Sequence, residues 1–197
     1  MSTALQGAVE LLDRSLGYTR VVLTGVADAH LDRSTPCRDW RLRDLLDHMD
    51  DSLDAFTEAA GGRVLLDQPP SDPAGARVER LQTKACALLC GWTAEDRETG
   101  VRIGDAALAS DLLVAMAALE ITVHGWDVAR AIDSPADLPL DLAAALLDVA
   151  LLVVGPADRG RRFAPPLPPS GFANGAAGDE RDRLLAWLGR RPDWHRL

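Results

Sequence analysis

The chain has few of the residues that cross-link a small fold or attract a polyanion. Three cysteines among 197 residues are too few for a disulfide framework and are typical of a reducing cytoplasm. Lys84 is the only lysine, and the net charge of −9 argues against nucleic acid or an anionic membrane surface as a partner. No apolar run approaches the roughly 18 residues that cross a bilayer, and residues 1–12 lack the basic segment of a signal peptide. We therefore expect a cytoplasmic protein with no membrane partner.

Strand-like alternation is also nearly absent, whereas apolar residues recur at helical spacing. The pattern predicts six helices, at residues 4–26, 41–60, 74–91, 108–133, 140–154 and 179–188. Residues 98–103 favour a short extended piece before a turn. We predict an all-α fold, a helix bundle that forms one domain over residues 1–197. A long Pro/Gly-rich loop over 155–178, typical of a lid or a binding loop, precedes a C-terminal helix and tail over 179–197.

Two further expectations concern burial. The helix at 140–154 is nearly all apolar, which predicts that it is buried on two sides. Cys86 and Cys90 lie four residues apart and therefore share a helical face. Core packing is favoured for this pair, with metal or redox use as the alternative.

A carboxylate and an imidazole lie one turn apart in the predicted helix at 108–133. Glu120 falls among apolar residues at helical spacing, and His124 falls on the same side of the helix. An unpaired carboxylate in a core costs several kcal/mol, so Glu120 needs a partner. A divalent metal shared with His124 would supply one. The alternative is a buried salt bridge, to Arg130 or to an arginine of another helix.

A catalytic zinc-type centre usually has three protein ligands and leaves a position for water. His195 is close to the chain end and His30 falls in a loop, whereas His48 lies at the border of an apolar helical stripe. Elimination therefore favours His48 as the third ligand, in a site built between two helices. Taken alone, His48 would be read as a boundary histidine with a local hydrogen bond.

Other polar side chains have supporting roles in this hypothesis. Asp127 shares a face with the two candidate ligands on its helix and is placed to orient an imidazole through its ring N–H. The alternatives for Asp127 are a surface aspartate, a bond to the loop at 35–40, or a fourth ligand of a closed structural site. The late loop offers guanidinium groups that could bind carboxylates or hydroxyls of a cosubstrate, with a solvated charge run as the alternative. These are Arg159, Arg161 and Arg162.

Three segments form a specific pattern: TPCRDW at 35–40, RDLLDH at 43–48 and EITVHGWDVA at 120–129. Together with the ending at 182–194, they resemble the DinB-like metalloproteins, in the branch of mycothiol-dependent maleylpyruvate isomerases and actinobacterial TPC-DW metal-binding proteins. The resemblance implies a DinB-like four-helix bundle of up-down-down-up topology with extra short helices. It implies a divalent metal, usually zinc and sometimes nickel, held by His48, Glu120 and His124. It also implies mycothiol or a similar low-molecular-weight thiol as cosubstrate.

The function expected from these observations is metal-dependent thiol chemistry on a small electrophilic metabolite, by S-transfer or isomerisation. Glu120 and Asp127 would form the catalytic group beside the metal. Maleylpyruvate isomerases carry a further C-terminal domain, which is not expected here, and this favours a thiol transferase or a pathway-specific enzyme over the isomerase. Two alternatives remain: a metal acting as a Lewis acid without a thiol, in an isomerase, lyase or cyclase of secondary metabolism, and a non-catalytic metal-binding protein. A homodimer formed through an exposed apolar face is compatible with each of them.

Overall fold

Helices dominate the architecture. The structure, a computed structural model, describes residues 2–37, 40–61, 72–93, 100–103, 106–160, 163–168 and 178–195. These residues form α1 (Thr3–Leu23), α2 (Leu42–Gly61), α3 (Ala74–Thr93), β1 (Gly100–Ile103), β2 (Ala106–Ala109), α4 (Ser110–Ala131), α5 (Leu140–Val153) and α6 (Glu180–Trp187). The predicted helices agree with these bounds to within a few residues, and the all-α prediction is confirmed.

The hairpin before α4 is the main departure from the predicted elements. β1 and β2 pair antiparallel, in a register that runs from Gly100 opposite Ala109 to Ile103 opposite Ala106. The extended piece expected at 98–103 is therefore one strand of a pair. The backbone hydrogen bonds of β2 occupy the residues just before Ser110, so α4 starts there rather than at residue 108.

α1 and α4 lie side by side and run in the same direction. The Thr19 hydroxyl donates a hydrogen bond of 3.0 Å to the Ile121 carbonyl, and Gly25, further along α1's path, lies against the Ile132 side chain. The helices approach most closely at Gly125, where an added Cβ would lie 2.4 Å from the Thr19 Oγ1 atom. Glycine is therefore required at this point of α4 for the two helices to touch.

α2 and α3 also run parallel, and a ladder of ion pairs joins them. Asp47 pairs with Arg77 near the start of both helices. Further along, the Lys84 ammonium donates to Asp50 and to Asp54, at 2.6 Å in each case. Asp50 and Arg77 are buried, so each of these charges depends on its partner to offset the cost of burial. The main effect of the ion pairs is to fix the register of the two helices, and the single lysine of the chain is used here.

α2 and α4 run in opposite directions. Trp40, just before α2, lies near His124, whereas His48, two turns later, lies near the earlier residue Glu120. With α1 parallel to α4 and α2 parallel to α3, the bundle has the expected up-down-down-up topology.

α4 is the central helix of the bundle and is buried along nearly its whole length. Among the described residues it is the one helix long and apolar enough to span a membrane by composition, a possibility that the sequence analysis had excluded. Of its most apolar window, 83% is buried inside the bundle, which is the position of a core helix.

α5 packs on the bundle with one face only. Leu142 and Leu146 are fully buried, but Leu151 and Leu152 are 51% and 75% exposed. The predicted burial on two sides is wrong, because α5 has α4 and α6 on its inner side and exposes these leucines on the other. The Trp187 indole of α6 donates to the Ala150 carbonyl and fixes α6 against α5.

Candidate metal centre

The three predicted metal ligands come together between α2 and α4. The Nε2 atoms of His48 and His124 lie 2.8 and 3.1 Å from the same oxygen of Glu120, Oε1. One ligand atom from each of the three side chains lies within 4.8 Å of the other two. Glu120 is thus paired with imidazoles rather than with Arg130, whose guanidinium lies 3.9 Å from Asp137 instead.

The donor set fits a divalent cation. Two imidazole nitrogens and one carboxylate oxygen form the protein ligands of a well-known class of catalytic zinc site, which keeps a further position open. The His124 side chain is only 8% exposed, whereas those of His48 and Glu120 are 33% and 27% exposed. The cluster is therefore enclosed on the α4 side and accessible on the other. Glu120 is half-buried, whereas its apolar neighbours in the sequence predicted a carboxylate inside the core.

Asp127 orients one of the candidate ligands. Its Oδ2 atom lies 3.0 Å from Nδ1 of His124, and its side chain is fully buried, which excludes a surface aspartate. The Nδ1–H donates to this carboxylate, so Nε2, which faces Glu120, is the nitrogen that would bind a metal in place of its proton. The other partner of Asp127 is Arg190, which donates from Nη2 at 2.8 Å and from Nε at 3.3 Å.

Arg190 is a functional residue that sequence reasoning did not single out. Two residues after the end of α6, Gly189 has a φ of 75°, and the Arg190 amide donates to the Leu185 carbonyl at 2.8 Å. This left-handed turn directs the Arg190 side chain back into the bundle toward Asp127. An added Cβ at Gly189 would lie 2.9 Å from the Ala164 carbonyl oxygen, so the turn depends on glycine for both conformation and space.

The TPC-DW loop places an aromatic ring over the cluster. The buried Thr35 hydroxyl donates to the carbonyls of Cys37 and Trp40, at 3.0 Å in each case. This tight turn holds the Trp40 ring 4.5 Å from that of His48 and 6.0 Å from that of His124. The motif therefore restricts the orientation of the histidines and covers one side of the cluster.

The electrostatics of the cluster favour a charged Glu120. Burial acts to raise the pKa of Glu120, but the neighbouring His124 and His48 hold it well below its usual range. Burial acts to lower the pKa of His124, yet the Glu120 carboxylate and the bond to Asp127 raise it to about 9. Burial also acts to raise the pKa of Asp127, but Arg190 in the first place, and also His124, outweigh it, so that the pKa is lowered. The cluster thus has two carboxylates in their anionic form.

A cavity of about 210 Å³ opens beside the cluster, between α1, α2, α3 and α4. Glu120 and His124 form part of its wall, and seven of the other fifteen lining residues are leucine, methionine or isoleucine. The α1 side of the wall includes Gly17, where an added Cβ would meet nothing within 4 Å. Two of the three candidate ligands, Glu120 and His124, therefore face a preformed space suited to a small molecule.

The remaining predicted site residues lie elsewhere. The Arg159 guanidinium donates to the carbonyls of Ala164 and Trp187 and stacks on the Trp187 ring. It does not line the cavity, and this structural use argues against its predicted role in cofactor binding. Arg161 and Arg162 lie outside the described residues.

The expectation for the cysteine pair is wrong. Cys86 and Cys90 are both exposed and free, and Cys86 contributes to the cavity wall. Their shared face of α3 points away from the core, because the Leu81 and Leu88 side chains fill the inward face.

Comparison with known proteins agrees with this architecture. The chain is 25% identical over 171 residues to an uncharacterized protein of Mycobacterium tuberculosis, Rv0738 in strain H37Rv and MT0763 in strain CDC 1551 / Oshkosh, covering 86% of this chain and 90% of the relative. Structures of the mycothiol-dependent maleylpyruvate isomerase and of its histidine-to-alanine variant match with a TM-score of 0.60 at 15% identity. The match covers 76% of this chain and 70% of theirs, and shows a common fold.

The family follows from a match that spans more than half of the chain. The family model of the mycothiol maleylpyruvate isomerase N-terminal domain matches residues 12–129, which include α2, most of α4 and all three candidate ligands. On this ground, and in accord with the shared fold, the chain belongs to the mycothiol maleylpyruvate isomerase N-terminal domain family.

Proposed function

We propose that this protein is a metal-dependent enzyme that uses a low-molecular-weight thiol of the mycothiol type, for S-transfer to a small electrophile or for its isomerisation. The observation that carries the proposal is the convergence of His48, Glu120 and His124 in one cluster, in which Glu120 and His124 line a cavity and His48 is partly exposed. A closed structural site would surround the ion with protein ligands. The thiol is proposed from the family to which the chain belongs.

The metal would be held by the Nε2 atoms of His48 and His124 and by the Glu120 carboxylate. When bound, a dication supplies the positive charge that converts a thiol, with a usual pKa near 8.5, to its nucleophilic thiolate near neutral pH. Zinc is the proposed ion, on the basis of its preference for this donor set.

The chain's own residues prepare the site for that chemistry. Asp127 accepts the Nδ1 proton of His124 and so keeps Nε2 available as a ligand. Arg190 neutralises Asp127 in turn, so that the buried carboxylate stays in place beside the ring. Glu120 contributes negative charge that moderates the electrophilicity of a bound dication. The apolar cavity wall excludes water from a bound electrophile, which protects it from hydrolysis.

Metal content tests the first half of the proposal. We expect zinc in protein purified without chelators, and its loss in the His124→Ala variant, measured by elemental mass spectrometry. His195→Ala is the matched control, since His195 lies in the C-terminal tail and is not part of the cluster. Equal zinc content in the two variants would contradict the assignment of the ligands.

Thiol dependence tests the second half. Zinc-loaded protein is incubated with mycothiol and a fluorogenic electrophile, and conjugate formation is followed against a metal-free sample. We expect conjugation that requires both zinc and the thiol. Turnover of an electrophile at the same rate without any thiol would favour the Lewis-acid alternative, and zinc binding without any turnover would favour a non-catalytic protein. We further propose a cytoplasmic location, where such thiols occur in reduced form.

A further inference from the structure

We infer that the electrophile is a monoanion with an apolar tail, and that Arg20 binds its anionic group beside the metal ligands. This inference rests on the proposed function and adds the class of substrate and a specificity-determining residue. It comes from the charges and the dimensions of the cavity.

Arg20 is a cation at the cavity wall, where the Glu120 carboxylate is already paired with the two imidazoles. Its side chain belongs to the exposed edge of the wall, on α1. Within the part of the chain that the structure describes, its guanidinium has no hydrogen-bond or ion-pair partner. By contrast Arg14, on the same helix, pairs with Asp141 at 2.8 Å. An arginine that faces a cavity without a partner is suited to bind a carboxylate or a similar anion.

The position of Arg20 along the cavity is given by the packing of α1 on α4. The preceding residue, Thr19, donates to the Ile121 carbonyl, and so Arg20 lies at the level of the turn that carries Glu120 and His124. An anion bound by Arg20 is therefore held at the metal end of the cavity. The reactive carbon of such a substrate would be close to the anionic group, as in a conjugated carboxylic acid.

The cavity extends from this end along an apolar path. Its α3 wall includes Leu81 and Leu89, which lie eight residues apart, so the path is about 12 Å long at the helical rise of about 1.5 Å per residue. Asp13, seven residues before Arg20 on α1, lies at the far end, about 10 Å away by the same rise, too far to neutralise Arg20. A linear apolar tail of about eight carbons would occupy this length.

A binding experiment with an unreactive probe tests the inference. The probe is octane-1-sulfonate, whose sulfonate is a weak metal ligand, with octan-1-ol and ethanesulfonate as comparisons. Calorimetry with zinc-loaded protein should show that octane-1-sulfonate binds at least tenfold more tightly than either, since it alone has both the charge and the tail. Equal binding of the octanol would overturn the role of charge, and equal binding of ethanesulfonate would overturn the role of the tail.

Variants of the arginine complete the test. Arg20→Met, which keeps most of the side-chain length, should weaken octane-1-sulfonate binding about tenfold or more, and Arg20→Lys should weaken it less. Arg14→Met is the matched control on the same helix and should bind as the wild type does. Unchanged affinity in Arg20→Met would refute the assignment of Arg20.

The result is separable from the outcome for the proposed function. Zinc content and thiol-dependent conjugation are measured on the same wild-type and Arg20→Met samples. If the wild type has normal zinc content and conjugates normally but does not bind octane-1-sulfonate, only the inference about Arg20 is rejected. Sulfonate binding that depends on Arg20, in a protein without thiol-dependent conjugation, would support the inference and reject the thiol enzyme.

Discussion

Replacing Gly17 by alanine should stabilise the protein and reduce the space for its ligand. Gly17 lies in the interior of α1, where glycine is less favourable than alanine by about 0.5–1 kcal/mol. It does not have a positive φ, and an added Cβ meets nothing within 4 Å, so no strain or clash offsets this gain. For a chain of this size the melting temperature should rise by about 1–4 °C.

Gly7→Ala is the matched control for this prediction. Gly7 lies on the same helix and also has open space around its Cβ position, but it does not line the cavity. Thermal unfolding followed by circular dichroism should show a similar rise for both variants. Only Gly17→Ala should also weaken octane-1-sulfonate binding, and Gly17→Leu should abolish it by filling the cavity.

The comparison of Gly17→Ala with Gly7→Ala tests whether Gly17 lines a cavity that binds the ligand. If Gly17→Ala lowers the melting temperature while Gly7→Ala raises it, the space beside Gly17 is occupied by protein and the cavity described above is wrong. If both variants are stabilised and both bind the probe as the wild type does, the cavity exists but the ligand lies elsewhere. In that case ligand binding does not explain why residue 17 is glycine rather than the more stabilising alanine.

Three further predictions concern the metal centre and its support. Asp127→Asn should reduce the free energy of unfolding by about 3 kcal/mol in urea titrations, because it leaves the buried Arg190 charge unpaired. The same variant should weaken zinc binding by about 10–100-fold in a chelator competition. Unchanged values would exclude the positioning role of Asp127. Gly189→Ala should lower both stability and zinc affinity in the same assays, since it strains a left-handed turn and meets the Ala164 carbonyl. Removal of zinc by a chelator should lower the melting temperature, because zinc at a free concentration of 100 Kd stabilises the native state by about 2.7 kcal/mol. Re-addition of zinc should restore the melting temperature. An unchanged melting temperature would show that the ion does not bind the native state.

The parts of the site that could be predicted from the sequence are those on one helix. Glu120 and His124 are one turn apart, so their proximity follows from helical geometry alone, and the same holds for Asp127. His48 required elimination among four histidines and the resemblance to a family. Its approach to Glu120 spans 72 residues and depends on how α2 packs on α4.

The residues that were missed depend on long-range packing or on local turns. Arg190 reaches Asp127 across 63 residues only because Gly189 reverses the chain, and nothing in the local pattern shows where that reversal points. Arg20 can be recognised as a candidate binding residue only from the cavity that four helices form together. The exposed faces of α3 and α5 were predicted to be buried because an apolar stripe shows that a face is apolar, not that a neighbour covers it.

The arrangement of the helices also has a mechanical consequence. The bundle consists of two parallel pairs, α1 with α4 and α2 with α3, and the packing inside each pair is denser than the packing between them. The cavity and the ligand cluster both lie at the boundary between the pairs. An ion bound by His48 from one pair and by Glu120 and His124 from the other would therefore act as a clip that joins the two pairs. Such a clip closes a loop of 72 residues, and in chain-entropy theory the restriction of the unfolded state grows with loop length.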